Sequence, residues 1–283
     1  MVHSVALSEP TGVAALRRAT ELARVAGDRS TAATASRELG FVAAGARQGG
    51  TGMLREAREL ATGDDGKLAA VLGIEALALT DSGQFDAAAQ RFRRSVELAE
   101  RADESRKAAW SLTLLARAEL IAGEPAAARA DIDRARALVT ADRWTAFLPL
   151  VLAVSAELDL HEDRLDPAGE QLTCAWTLAT RLADPCWLAV TGRGLGLLAA
   201  RRGNTAEAMQ WLDGAYHQRP AAAGLPMDRR GDPRRDLRRG DEPPAAPGEG
   251  GRRRADRSGR AGPDARVRGP RPHLPGPPRS RRP

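Results

Sequence analysis

Lysine is nearly missing from this sequence: of 43 basic residues only Lys67 and Lys107 are lysines, and the rest are Arg. The excess of Arg, Ala and Gly is what GC-rich codons produce, and it says more about a genome than about a function. Aromatic residues make up 4% of the chain, with one tyrosine, and Val, Ile and Thr never fall into alternating runs. That excludes a half-buried sheet and predicts helix throughout. With only two cysteines, Cys174 and Cys186, a disulfide framework is excluded. The pair fits a reducing cytoplasm, and both are expected to be small core residues. No run of 18 apolar residues occurs, so no membrane span is predicted. Residues Met1 to Glu9 lack a basic stretch and a long apolar stretch, so they do not read as a signal peptide.

Catalytic and metal-binding groupings are also scarce. His3, His161, His217 and His273 stand far apart, and His161-Glu162-Asp163 lacks a second His one helical turn away. Gly63-Asp64-Asp65-Gly66-Lys67-Leu68 lacks the spacing and the Ser or Thr of a phosphate loop. Gly192-Arg193-Gly194-Leu195-Gly196 follows no strand and falls inside a helical segment, where glycines permit close helix packing. These readings predict no metal, no cofactor and no enzyme activity.

What is present is a repeat. Gly83-Gln84-Phe85-Asp86-Ala87-Ala88 recurs as Gly123-Glu124-Pro125-Ala126-Ala127-Ala128. It recurs again as Asp163-Arg164-Leu165-Asp166-Pro167-Ala168 and Gly203-Asn204-Thr205-Ala206-Glu207-Ala208, at a step of 40 residues. After each phrase comes an apolar residue and, three on, a small one: Phe92 and Ser95, Ile132 and Ala135, Leu172 and Ala175, Leu212 and Ala215. Leu54 with Ala57 and Leu16 with Ala19 extend the series backwards at steps of 38. The spacing predicts two antiparallel helices per repeat. A left-handed residue ends the first helix, and Ala in the second lets the two approach closely. One hairpin cannot bury its face alone, so the repeats must stack. Asp166-Pro167 and Asp184-Pro185 read as N-cap followed by Pro, and Thr205 as a further N-cap. Gly12 to Ala26 reads as the second helix of a repeat whose first helix is missing, so the chain looks truncated.

Gly-x-Phe-x-x-Ala-x-x-x-Phe-x-x-Ser/Ala resembles the second half of the tetratricopeptide motif. The 40-residue step resembles the long repeats of bacterial signalling ATPases and LuxR-type transcription regulators, including the maltose-activator type. Arg143-Trp144-Thr145-Ala146-Phe147-Leu148-Pro149 and Asp184-Pro185-Cys186-Trp187 share the character of that group. The resemblance covers about residues 12–218. It implies an all-α, right-handed superhelical solenoid of antiparallel helix hairpins with 38–40-residue repeats. It also implies a non-catalytic binding scaffold: the sensor segment of a regulator, here without the Walker A loop and the helix-turn-helix of such proteins.

Past residue 218 the composition changes. From Asp228 to Pro283 there are 11 Pro, 9 Gly and 17 Arg against 8 acidic residues. The net charge of +6 therefore resides in the tail, and the remainder of the chain is net −3. Residues 219–283 are expected to be a disordered basic tail. Back-translated codons read one nucleotide later turn Asp228–Glu242 and Asp264–Pro283 into apolar-patterned helices, as a frameshifted continuation of the repeats would. The alternative function is a nucleic-acid binder acting weakly and non-specifically through the tail. The tail lacks the stacking aromatics of single-strand binders.

Most tryptophans, Trp144, Trp176, Trp187 and Trp211, are expected in the core. Counting from the turn glycines places Trp110, Arg117, Glu157, His161, Arg193 and Arg201 where first helices face the concave groove. That surface is the candidate site for a protein, a peptide or a small effector. The competing reading is a solvated helix face whose arginines are ordinary solvent-facing charges.

Overall fold

The computed structural model describes residues 10–45 and 50–217, all of them helix or tight turn. The tail and what is expected of it lie outside these residues. Eleven helices follow in order: α1 Pro10–Val25, α2 Arg29–Gly45, α3 Thr51–Leu60, α4 Asp65–Asp81 and α5 Phe85–Arg101. Then come α6 Ser105–Ala122, α7 Pro125–Ala141, α8 Leu148–His161, α9 Leu165–Leu182, α10 Pro185–Arg201 and α11 Thr205–His217. No strand occurs among the described residues. The hairpin solenoid expected from the repeat is the fold.

The turns set the period. Residues 63, 83, 103, 123, 143, 163, 183 and 203 all have positive φ. Each helix plus its turn therefore occupies 20 residues, half the repeat. Four of these positions are Gly; the others are Asp103, Arg143, Asp163 and Ala183. All but the turn at Gly63, where the Asp64 amide donates to the Ala61 carbonyl at 3.0 Å, share one closure. The amide after the left-handed residue donates five residues back, as in Gln84 to Leu79, Glu104 to Ala99, Trp144 to Val139 and Asn204 to Ala199, all at 2.8–2.9 Å. This satisfies carbonyls that would otherwise end each helix unpaired. Sequence reading finds this turn within hairpins and misses it between them, because no glycine marks 103, 143 or 183.

Caps refine the start sites. Asp184 accepts from the amides of Cys186 (2.9 Å) and Trp187 (3.3 Å), as expected of an N-cap before Pro185. Asp166 is not a cap: α9 begins at Leu165, and Asp166 pairs instead with Arg202 at 3.0 Å. Thr205 is the first helical residue, and Asn204 caps α11 by accepting from the Glu207 amide at 3.3 Å.

Packing follows the small residues. Ala88, Ala128, Ala168 and Ala208 are each at most 1% exposed, and Phe92, Ile132 and Leu172 are equally buried. Ser95 is buried too, but its hydroxyl donates to the Ala69 carbonyl (2.7 Å) and meets Ser111 Oγ (2.8 Å), so no polar atom is wasted. The glycines of α10 do what close packing requires. A Cβ at Gly196 would lie 2.8 Å from Leu212 Cγ, and one at Gly194 would collide with Leu172.

Among the principal helix contacts, first helices of neighbouring repeats touch one another (α2 with α4, α4 with α6, α6 with α8, α8 with α10), and no pair of second helices does. First helices therefore sit closer together. They form the inner layer of a curved stack, and second helices form the outer layer.

Candidate functional site

Two patches occupy the inner layer. Upstream, a cavity of about 300 Å³ opens across α2, α4, α6 and the start of α8. Its walls are mostly apolar. Trp110 comes from α6, and Trp144 and Phe147 from the α7–α8 connection, with Trp187 from the first turn of α10. Phe41, Ile74 and Leu114 complete the apolar lining, and Arg37, Glu38, Arg106 and Lys107 supply its charge.

The aromatic rings hold one another. Trp144 and Phe147 stack with centroids 4.4 Å apart and an interplanar angle of 12°. Phe147 meets Trp187 edge-on at 5.9 Å. The Trp187 indole donates to the Ala146 carbonyl at 2.9 Å, so its one polar atom is satisfied and only its apolar surface remains for the cavity. The Arg106 guanidinium lies over the Trp144 ring, 5.5 Å from the centroid. Trp110 rests against α4 at Gly73, where a Cβ would come within 2.7 Å of the ring. Glycine there allows the indole to lie back from the cavity.

The second patch is ionic. Glu157 of α8 pairs with Arg193 of α10 and, at 3.8 Å, with Arg117 of α6. All three side chains are no more than 15% exposed. Three successive inner helices are thereby joined through one carboxylate.

The six residues singled out from sequence therefore part ways. Arg117, Glu157 and Arg193 come together. Trp110 lies on the same face of α6, two turns or about 10 Å from Arg117. His161 and Arg201 stand exposed at the last turns of α8 and α10. Arg201 is paired with Asp163 at 3.0 Å and does not join the triad. The competing reading of solvent-facing arginines fails for Arg117 and Arg193, which are mostly covered and ion-paired. Two tryptophans depart from the core expectation. Trp187 and Trp211 are buried, but Trp144 and Trp176 are half-buried, and Trp144 faces the cavity. Cys174 is exposed on α9, contrary to expectation, whereas Cys186 is buried and its thiol is pushed up to about 11, chiefly by burial.

Sequence reading missed Phe147, Trp187, Lys107 and Leu150 as cavity residues. A signal was available. Ala70, Trp110 and Leu150 line the cavity at the 40-residue step, as do Lys107, Phe147 and Trp187.

Elsewhere, charge is spent on structure. Asp159, 2% exposed, takes hydrogen bonds from Arg129 (2.7 Å), Arg164 and Gln171, tying α7, α8 and α9 together. Glu119 of α6, bonded to Arg93 at 2.7 Å, has its carboxyl held above the ordinary range by burial and by neighbouring Asp131. Burial likewise raises Asp131 and Glu75, against the pull of nearby arginines. Among the described residues no group of three or more His, Cys, Asp or Glu is arranged to hold a metal ion, and no helix is long and apolar enough to cross a membrane.

The fold and this inner face define a tetratricopeptide-like helical-repeat protein. The chain is similar to the crystal structure of BtubC from P. vanneervenii, with TM-score 0.53 and 18% identity over 87% of this chain and 97% of that one. It is also similar to aspartyl phosphate phosphatase F from Bacillus subtilis, with TM-score 0.51 and 12% identity over 76% of this chain and 70% of that one. At these identities the likeness concerns the fold. No protein-family model and no curated protein matches the chain.

Proposed function

We propose that the chain is a non-catalytic binding scaffold whose inner face takes a protein segment or a small effector. The carrying observation is the aromatic cavity open on the inner layer, built by side chains from several repeats. Concave apolar surfaces with a few placed charges are where helical stacks and small-ligand sites do their binding. Unlike the core tryptophans Trp187 and Trp211, Trp110 and Trp144 keep part of their surface open. The resemblance of the repeat to LuxR-type regulators supports reading the scaffold as the sensor or interaction segment of a bacterial regulator working in the cytoplasm.

A peptide-display selection on the immobilised full chain tests the scaffold reading. Selected peptides are expected to lose about tenfold in affinity on Trp110→Ala, as removal of one aromatic anchor does. Peptides that bind Trp110→Ala and Trp144→Ala as well as the native chain would place the binding surface elsewhere. The genomic sequence across codon 228 and upstream of Met1 tests the regulator reading. Flanking ATPase and DNA-binding coding segments are expected there. The alternative, nucleic-acid binding through the tail, requires a salt-dependent DNA affinity that disappears when residues 228–283 are removed.

A further inference from the structure

We infer that the inner-face cavity is a site for a small planar aromatic carboxylate. This rests on the scaffold reading and narrows its ligand to one chemical class.

Size comes first. About 300 Å³ is the lower end of small-ligand pockets, which run from about 300 to 1,000 Å³. It takes one ring system and its substituent, and is too small for the row of side chains that a docked helix presents.

Wall chemistry comes second. The Trp144 and Phe147 rings lie nearly parallel, and the Trp110 ring packs against α4 at Gly73. Such surfaces favour a flat apolar body by stacking. Two of the neutral polar groups here are already used. The Trp187 indole is bonded to Ala146, and Ser111 Oγ meets Ser95 Oγ at 2.8 Å. They offer a sugar or a polar amide little to bond.

Charge comes third. The ionisable side chains lining the cavity are three cations and one carboxylate: Arg37, Arg106 and Lys107 against Glu38. Arg37 pairs with Glu38. Lys107 holds Glu104 at 2.7 Å, and Glu104 is not part of the lining. Arg106 pairs with Asp142 at 3.8 Å, the two side chains being 59% and 32% exposed, and lies over the Trp144 ring. Arg106 and Lys107 are consecutive in the first turn of α6 and carry the surplus positive charge of the lining. A ring seated against Trp144 and Trp110 would bring a carboxylate on a short arm towards them.

The test uses the full chain and three probes: 1-naphthylacetate, 1-naphthylacetamide and hexanoate. Binding is followed by calorimetry and by saturation-transfer NMR. Naphthylacetate is expected to bind about fivefold more tightly than its neutral amide, the worth of a part-exposed ion pair. Hexanoate, which has the charge without the ring, is expected to bind most weakly. The double variant Arg106→Gln, Lys107→Gln should bring acid and amide within about twofold of each other. Trp144→Leu should weaken both naphthyl compounds, and Gly73→Val should do the same by driving the Trp110 indole into the cavity, with melting curves confirming that both variants fold. Equal binding of acid and amide to the native chain, hexanoate binding as well as naphthylacetate, or no naphthyl binding at all would overturn the inference. If selected peptides still bind the inner face in that last case, the ligand class fails and the scaffold reading stands.

Discussion

The two patches of the inner layer are built from the same helices and do opposite things with their side chains. Upstream, Trp110, Trp144 and Phe147 leave a cavity between them, with cations at its edge. Downstream, Arg117, Glu157 and Arg193 close on one another, and the carboxylate between the two arginines is 11% exposed. One patch keeps apolar surface open and holds its ion pairs at the edge. The other uses its charges to hold α6, α8 and α10 in register. A charged inner face is therefore not by itself a binding face; what matters is whether apolar surface stays open beside the charges.

The largest expected effect comes from breaking the ionic patch. Glu157→Ala removes the carboxylate between two mostly covered guanidinium groups and should cost about 2–4 kcal/mol, read as a lowered denaturant midpoint. A midpoint within error of the native chain would mean that the triad is ordinary surface charge. Ala128→Trp and Ala168→Trp test the packing beneath both patches. These alanines are 1% and 0% exposed where paired helices touch, so overpacking should cost about 1–3 kcal/mol each. Unchanged stability in both would refute the helix register.

Trp110→Ala sharpens the contrast from the other side. Its indole is only half-buried, so the loss should fall below the roughly 3–5 kcal/mol of a buried aromatic truncation, while inner-face binding weakens. Stability loss without binding loss would assign Trp110 to the core. A smaller effect is expected from pH. Burial raises the folded-state carboxyls of Glu119 and Asp131, so their contribution is most favourable below the ordinary carboxylate range and is lost as pH rises through the raised values. Asp131→Asn should therefore flatten the fall in melting temperature between about pH 4 and pH 8. A steeper fall in the variant would reverse the assigned sign. The smallest effect is chemical: at pH 7.5 native chain should react at Cys174 alone, because that side chain is exposed. Cys186 lies buried with its thiol pushed up to about 11, and peptide mapping after alkylation identifies which thiol is modified. Label on Cys186 at a comparable rate would show that the core beside Trp187 opens readily.

Much of the fold is legible in the residues because a repeat states the same physics several times. Ala88, Ala128, Ala168 and Ala208 mark the close helix approach, and Gly83, Gly123 and Gly203 mark the turn. The turns at Asp103, Arg143 and Ala183 are illegible, since nothing in their residue types announces a left-handed backbone. Asn204 in place of Thr205 as a cap shows the usual uncertainty of one residue at a helix end. For the site, counting along first helices brings out Trp110, Arg117, Glu157 and Arg193, and also sweeps in His161 and Arg201, which lie at helix ends.

The sequence by itself determines the period, the hairpin and the layer to which each helix belongs, because these follow from local spacing and from apolar positions repeated every 40 residues. Only the tertiary structure decides which inner side chains are spent and which remain open. Glu157 meets Arg193 across 36 residues, and Trp187 reaches Ala146 across 41. Such pairings depend on how far each helix slides and turns against its neighbour. A shift of one turn, about 5.4 Å along an α-helix, is enough to exchange a closed ion pair for an open cavity.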